Sequence, residues 1–190
     1  MSRIYAIQTG QTVWDAESRL RSPAGAPLTD QGAMSVQDAA RELTGREIKA
    51  VYACTLCEGQ RQTAELVAKA LGVKVHEKRE LHELDYGLWQ GLTTDEIKRR
   101  QPKAFRQWTK APASTRPPGG ETLSEAQNRL RSVLKGIIKR TKKGSPLLVL
   151  GPVLMGLLKC FSEKQALDAI WQNVDPSFSW GCYEVDGQTL

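Results

Sequence analysis

"IYAIQTGQT", residues 4–12, is the stretch on which the fold of this chain turns. Ile4, Tyr5 and Ile7 are β-branched or aromatic residues that favour a strand, and the run ends in Gly10. It reads as a buried strand over residues 3–8 that delivers a loop, Gln8-Thr9-Gly10, to the top of a sheet.

Working outward, "SRLRSPAGAP" is a loop rich in small residues and Pro, and Thr29 reads as the N-cap of a helix. Ala33, Val36, Ala40 and Leu43 follow at helical spacing, with Gly45 as a stop. "IKAVYAC" (48–54) is a second strand, residues 58–72 a helix closed by Gly72, and "VKVH" (73–76) a third strand. Strand, helix, strand, helix, strand argues for a mostly parallel sheet with helices on both faces, a three-layer α/β/α fold. The middle of the chain, about 85–121, is irregular, with short helices expected around "TDEIKRR" and "KAFRQW". Thr122 and Glu125 then form a capping box for a helix whose stripe is Leu130, Val133, Leu134, Ile137 and Ile138. "SPLLVLG" has the continuous apolar character of a central parallel strand. A helix with Pro152 in its first turn follows, and "FSWGCYEVDG" reads as a last strand ending in an Asp-Gly turn. There is no linker or internal repeat, so residues 1–190 read as one domain.

The 190 residues, 40% hydrophobic and 25% charged, suit one soluble domain with a real core. A net charge of +6 can attract phosphates or acidic partners, but the basic residues are spread along helix faces and ends, and no nucleic-acid partner is expected. No apolar run is long enough to span a bilayer, and no charged-then-apolar leader precedes the first strand. We therefore expect no membrane association and a cytoplasmic location. Four cysteines do not suggest a disulfide scaffold.

Six segments, in order, resemble the histidine phosphatase (phosphoglycerate mutase-like) superfamily. "IYAIQTGQTVWDAESRL" is similar to that family's strand, Arg-His-Gly-x-Thr loop and Trp-Asn. "APLTDQG" resembles its Pro-Leu-Thr-x-x-Gly, and "VYACTLCEGQRQTAELVAKALG" its Ser-Ser-x-Leu loop and Arg-Ala-x-x-Thr-Ala helix. "LHELDYGLWQG" is similar to the segment bearing its catalytic Glu, "PPGGETLSEAQNRL" to its Pro-Gly-Gly-Glu-Ser segment, and "LLVLGPVLMGLL" to its strand and His-Gly-Gly turn.

Such a family implies phosphoryl transfer to a His on the first loop. Two Arg and a second His hold the phosphate oxygens, and a carboxylic acid protonates the leaving oxygen. The resemblance places Thr9 at the nucleophile and Gln8 at the adjacent Arg. Asp15 stands at the Asn after the Trp, and Leu150 at the second His. The second Arg falls on Glu58 counted from Leu56, or on Gly59 counted back from Thr63, with Arg61 near enough to swing in. Glu83 alone matches the acid. Gly10 and Thr12 match positions that shape the loop, and Arg19 matches a structural one. Thr9 has no adjacent base, because the chain's two histidines, His76 and His82, match no catalytic position.

We therefore expect a catalytically degenerate, non-enzymatic binding or scaffold protein, with no cofactor and no metal. Its occupant would be a small ligand or a protein, including a second copy of itself. The pocket would be lined by Gln8, Thr9, Gly10, Asp15, Arg21, Arg61, His82 and Glu83, and segment 85–121 would cover it. Glu83 without a nucleophile reads as a loop-capping carboxylate. The alternative is a phosphatase or mutase using Arg21, Arg61, His82 and Glu83 in new roles. Cys54 and Cys57 form a Cys-x-x-Cys that reads as packing first and as thiol chemistry second, and Cys160 and Cys182 read as core residues. Trp89 and Trp108 read as packing anchors in the irregular segment.

Overall fold

In the computed structural model, which describes residues 2–141, 144–175 and 177–185, five strands form one sheet. They are β1 (Ser2–Gln8), β2 (Ile48–Ala53), β3 (Lys74–Glu77), β4 (Ser145–Leu150) and β5 (Trp180–Val185), in the order β3-β2-β4-β1-β5. β1, β2, β3 and β4 run parallel and β5 is antiparallel to β1. The Asp-Gly turn read at 186–187 lies outside the described residues.

Alternation along the strands divides the core. Tyr5, Ile7, Leu147 and Val149 pack on one face, against α2 (Asp30–Glu42) and α3 (Glu58–Leu71). Ile4, Ala6, Leu148 and Leu150 face the other way, under α6 (Leu123–Arg140) and α7 (Pro152–Ser162). Every residue of β4 is buried, which is why its sequence is apolar without alternation. Thr29 caps α2 by accepting from the Gly32 N–H, and the Thr122–Glu125 capping box opens α6 as read. Gly72 closes α3 in the left-handed region at φ 66°.

α2, which follows β1 and its loop, packs on one face of the sheet, and α7, which follows β4, on the other. The carboxyl ends of these adjacent strands therefore flank a crevice of the kind where open α/β sheets place ligands. The Thr9 N–H donates to the Leu150 carbonyl across it, at 2.8 Å.

A one-turn helix, α1 (Val13–Ala16), was not legible in the sequence and follows the first loop directly. The two short helices of the irregular segment form as α4 (Thr94–Arg100) and α5 (Pro102–Lys110). Trp89 and Trp108 are buried in the larger core cluster, and Trp108 meets Trp171 edge-on at 5.2 Å. A last one-turn helix, α8 (Ile170–Asn173), precedes β5. Cys182 is exposed, contrary to its reading as core, because β5 is an edge strand whose alternate residues face solvent. Among the described residues no helix is long and apolar enough to cross a membrane.

Candidate functional site

The first loop is fixed by close backbone approaches. A Cβ on Gly10 would lie 2.8 Å from both the Gly32 carbonyl oxygen and a Val36 methyl. No other residue fits between β1 and the start of α2. The Gly10 N–H donates to Thr63 Oγ1 (3.1 Å), which itself donates to the Gly59 carbonyl (2.8 Å). This chain of two bonds ties the loop to the first turn of α3. Thr12 caps α1.

Gln8 and Thr9 are buried, at 3% and 4% exposure, and both side chains already have internal partners. Gln8 Nε2 donates to the Asp175 carbonyl at 2.9 Å. Thr9 Oγ1 donates to the Leu150 carbonyl at 3.2 Å. Leu150 is fully buried and its side chain belongs to the core. The sheet register that pairs Gln8 with Leu150 brings these residues together.

On α3, Glu58 points outward and pairs with Arg61, while Gly59 faces the loop. A Cβ on Gly59 would lie 2.8 Å from the Ala26 carbonyl oxygen and from Thr12 Cγ2, and 3.2 Å from Thr9 Cγ2. Of the two residues that counting left open, Gly59 is therefore the one at the crevice, with no room there for a side chain. Arg61, expected at the pocket, is not there. Its guanidinium bridges Glu58 and Glu65 on the outer face of α3, because all three share i, i+3 and i, i+4 spacing.

Glu83 is 5% exposed and its two oxygens are spent on backbone donors. Oε2 accepts from the Val153 N–H (3.0 Å), and Oε1 from those of Leu154 (3.3 Å) and Leu84 (2.7 Å). The carboxylate thus caps the N-terminus of α7, where the helix dipole favours negative charge. A Cβ on Gly151 would collide with it. Burial pushes the Glu83 carboxyl above the ordinary carboxylate range, against the three N–H donors and the Arg21 charge that favour the anion. His82 lines neither cavity at the crevice. Its Nδ1–H donates to the Glu83 carbonyl at 2.7 Å.

Asp15 and Arg21 form a two-pronged pair, Nε–Oδ1 at 2.8 Å and Nη2–Oδ2 at 2.7 Å. The Thr12 N–H and hydroxyl both donate to Asp15 Oδ2. Burial alone would raise the Asp15 carboxyl. The Arg21 hydrogen bonds and charge, with those of Thr12, outweigh it and hold the group below its ordinary value.

Two spaces remain at the crevice. The inner one, between Thr9, Thr12, Arg21, Gly59, Gln60 and Glu83, has a volume of about 20 Å³. The outer one is an open basin of about 520 Å³ bordered by Gln8, Gln11, Asp15, Arg21, Gln31 and Phe178. Neither takes a lining residue from segment 85–121. That segment only reaches the rim, where the Arg19 guanidinium donates to the Gly91 carbonyl at 2.8 Å and Leu92 accepts from the Leu20 N–H. Sequence reasoning missed Gln11, Gln31 and Phe178, which converge from three separate segments. It also missed Gln60, whose Nε2 donates to the Leu81 carbonyl (3.0 Å) while its buried Oε1 has no protein partner. Among the described residues no cluster of His, Cys, Asp or Glu is arranged to hold a metal ion.

Known proteins share this architecture. A probable phosphoglycerate mutase, GpmB, of Salmonella choleraesuis is 30% identical over 161 residues, covering 83% of this chain and 73% of that protein. Phosphoserine phosphatase 1 of Hydrogenobacter thermophilus is 24% identical over 96% of this chain and 82% of its own. The solved structure of Bacillus stearothermophilus YhfR superposes with a TM-score of 0.89 at 28% identity, over 98% of this chain and 93% of that one. The sequence profile of the histidine phosphatase superfamily (branch 1) matches residues 4–189, nearly the whole length, and the chain belongs to that superfamily.

Proposed function

We propose that this chain is a member of its family that does not transfer phosphoryl groups, and that it works by binding, with its ligand or partner in the outer basin. One observation carries the reading: the inner space beside Thr9 and Gly59, where the family resemblance puts the phosphate, has a volume of about 20 Å³. That is room for about one water molecule. The side chains around it support the same reading. Thr9 spends its hydroxyl proton on a backbone carbonyl, Leu150 is core, and Glu83 caps α7. Arg21, the cation nearest the site, is neutralised by Asp15. The basin is bordered by Gln11, Gln31 and Phe178, and its two cations, Arg19 and Arg21, are paired with Glu17 and Asp15. This surface suits a neutral, hydrogen-bonding occupant better than a phosphate monoester.

The competing reading, phosphoryl transfer by displaced residues, is favoured by the mutase and phosphatase names of the relatives. It needs Arg21, Arg61, His82 and Glu83 to converge, and Arg61 and His82 line neither space. Thermal melting in inorganic phosphate and in vanadate separates the two. A retained phosphate grip stabilises by about 2.7 kcal/mol at a hundredfold excess over Kd. The binding reading expects no shift with either anion at millimolar concentration, and a saturable upward shift would overturn it.

A further inference from the structure

Cys54 directly follows β2, and Cys57 is the N-cap residue of the 14-residue helix α3. The two sulfurs are 3.3 Å apart, and the turn between them is closed by a Cys57 N–H to Cys54 carbonyl bond at 3.1 Å. The single Cys57 S–H is shared between two acceptors, Cys54 Sγ and the Pro23 carbonyl. Neither sulfur has a role in the binding reading above.

We propose that Cys54 and Cys57 are a dithiol that closes reversibly to a disulfide in response to a small hydroperoxide. The inference stands whether or not the basin binds a ligand or the protein turns over phosphates. Three features argue for it. The sulfurs are in contact, and a four-residue turn already holds them, so little backbone movement separates dithiol from disulfide. The pair sits at a helix N-terminus, where exposed N–H groups favour a thiolate. And the two residues are only 3% and 4% exposed, which selects for a small oxidant. The inner space of about 20 Å³ is bordered by Cys57 and by Gln60, whose buried Oε1 has no protein partner. It has room for about one water molecule and borders Cys57 rather than Cys54. Hydrogen bonding from the Cys57 S–H, with the Cys57 and Leu56 N–H groups, lowers the Cys54 thiol to about 6, and the same contact raises Cys57. Cys54 is thus the attacking sulfur and Cys57 the resolving one.

The steps balance. The Cys54 thiolate attacks a peroxide oxygen, an S–O bond forms as the O–O bond breaks, and the leaving oxygen takes a proton from solvent and departs as water or alcohol. Cys54 is now a sulfenic acid, oxidised by two electrons. The Cys57 sulfur attacks it, the S–S bond forms, and the hydroxyl leaves as water with the Cys57 proton. An external dithiol returns both thiols by exchange. Closure takes the S–H away from the Pro23 carbonyl, so oxidation loosens the 22–26 loop over the inner space.

Both cysteines fall on one tryptic peptide, residues 50–61, which makes the test direct. The folded protein is treated with hydrogen peroxide at neutral pH, denatured in an alkylating agent and digested. We expect the peptide to lose two hydrogens and escape alkylation in most chains, and to recover both thiols after dithiothreitol. The exposed Cys182 and the buried Cys160 report ordinary thiols in the same sample. With Cys57→Ser, a sulfenic acid on Cys54 should be trapped by dimedone, and with Cys54→Ser the adduct on Cys57 should fall at least several-fold. The proposal is overturned if the peptide keeps both thiols at a dose that oxidises Cys182. Irreversible sulfinic acid in place of the disulfide, or equal trapping in the two variants, would also overturn it.

Discussion

Replacing Glu83 by Ala separates a structural carboxylate from a catalytic one. The substitution removes the acceptor of three buried N–H groups, those of Leu84, Val153 and Leu154. Each unsatisfied donor costs about 1–3 kcal/mol. Water entering the space beside the 20 Å³ cavity recovers part of that, and loss of a buried carboxyl offsets another part. The net cost is about 3 kcal/mol, which for a chain of this size lowers Tm by about 6–12 °C. Differential scanning calorimetry reads the shift directly, and urea unfolding should show a lower midpoint with an unchanged slope. Glu83→Gln keeps one acceptor but turns an NH2 toward the donors, so it should fall between the two. A Tm within about 2 °C of wild type for Glu83→Ala would refute the capping role.

Four further outcomes are expected. Thr9→Val keeps shape and removes only the hydroxyl bond to Leu150, so it should cost about 0.5–1 kcal/mol by chemical unfolding. Gly59→Ala should destabilise despite the helix preference for Ala of about 1 kcal/mol, because the added methyl meets the Ala26 carbonyl oxygen at 2.8 Å; a gain in stability would show that the 22–27 loop gives way. Asp15→Asn breaks the pair with Arg21 and should cost about 2 kcal/mol at neutral pH. Since the fold holds Asp15 below its ordinary 3.8, its contribution is complete above that value and fades as pH falls through the folded one, so the gap to wild type should close in acid. The combined substitution Gln8→Arg, Thr9→His, Gly59→Arg and Leu150→His should melt lower than wild type and recover no phosphatase activity, since residue 59 has no space and residue 150 is core.

Much of the fold was legible because its signals are local. The apolar run of β4, the Thr29 and Thr122 caps and the Gly72 stop each fix an element within a few residues. The crevice was legible in part. Resemblance put Gln8, Thr9, Gly59, Leu150 and Glu83 together, and the sheet register and α3 do bring them to one place. What no counting along the chain could supply is direction. Glu58 and Gly59 are neighbours, yet one faces solvent and the other the crevice. Arg61 is two residues further on and was expected in the pocket, but acids one turn away on either side hold it outside. The basin wall formed by Gln31 and Phe178 comes from segments with no motif of their own. The exposure of Cys182 depends on β5 being an edge strand, a property of sheet order rather than of the sequence around it.

In the proposed function, the crevice binds without transferring phosphoryl groups. The most direct test of this is hydrolysis of p-nitrophenyl phosphate by the purified wild-type chain, from acid to mildly alkaline pH, with Glu83→Ala in parallel. No turnover above the buffer rate is expected for either protein at any pH. A wild-type rate that saturates with substrate and disappears in a folded Glu83→Ala would contradict it.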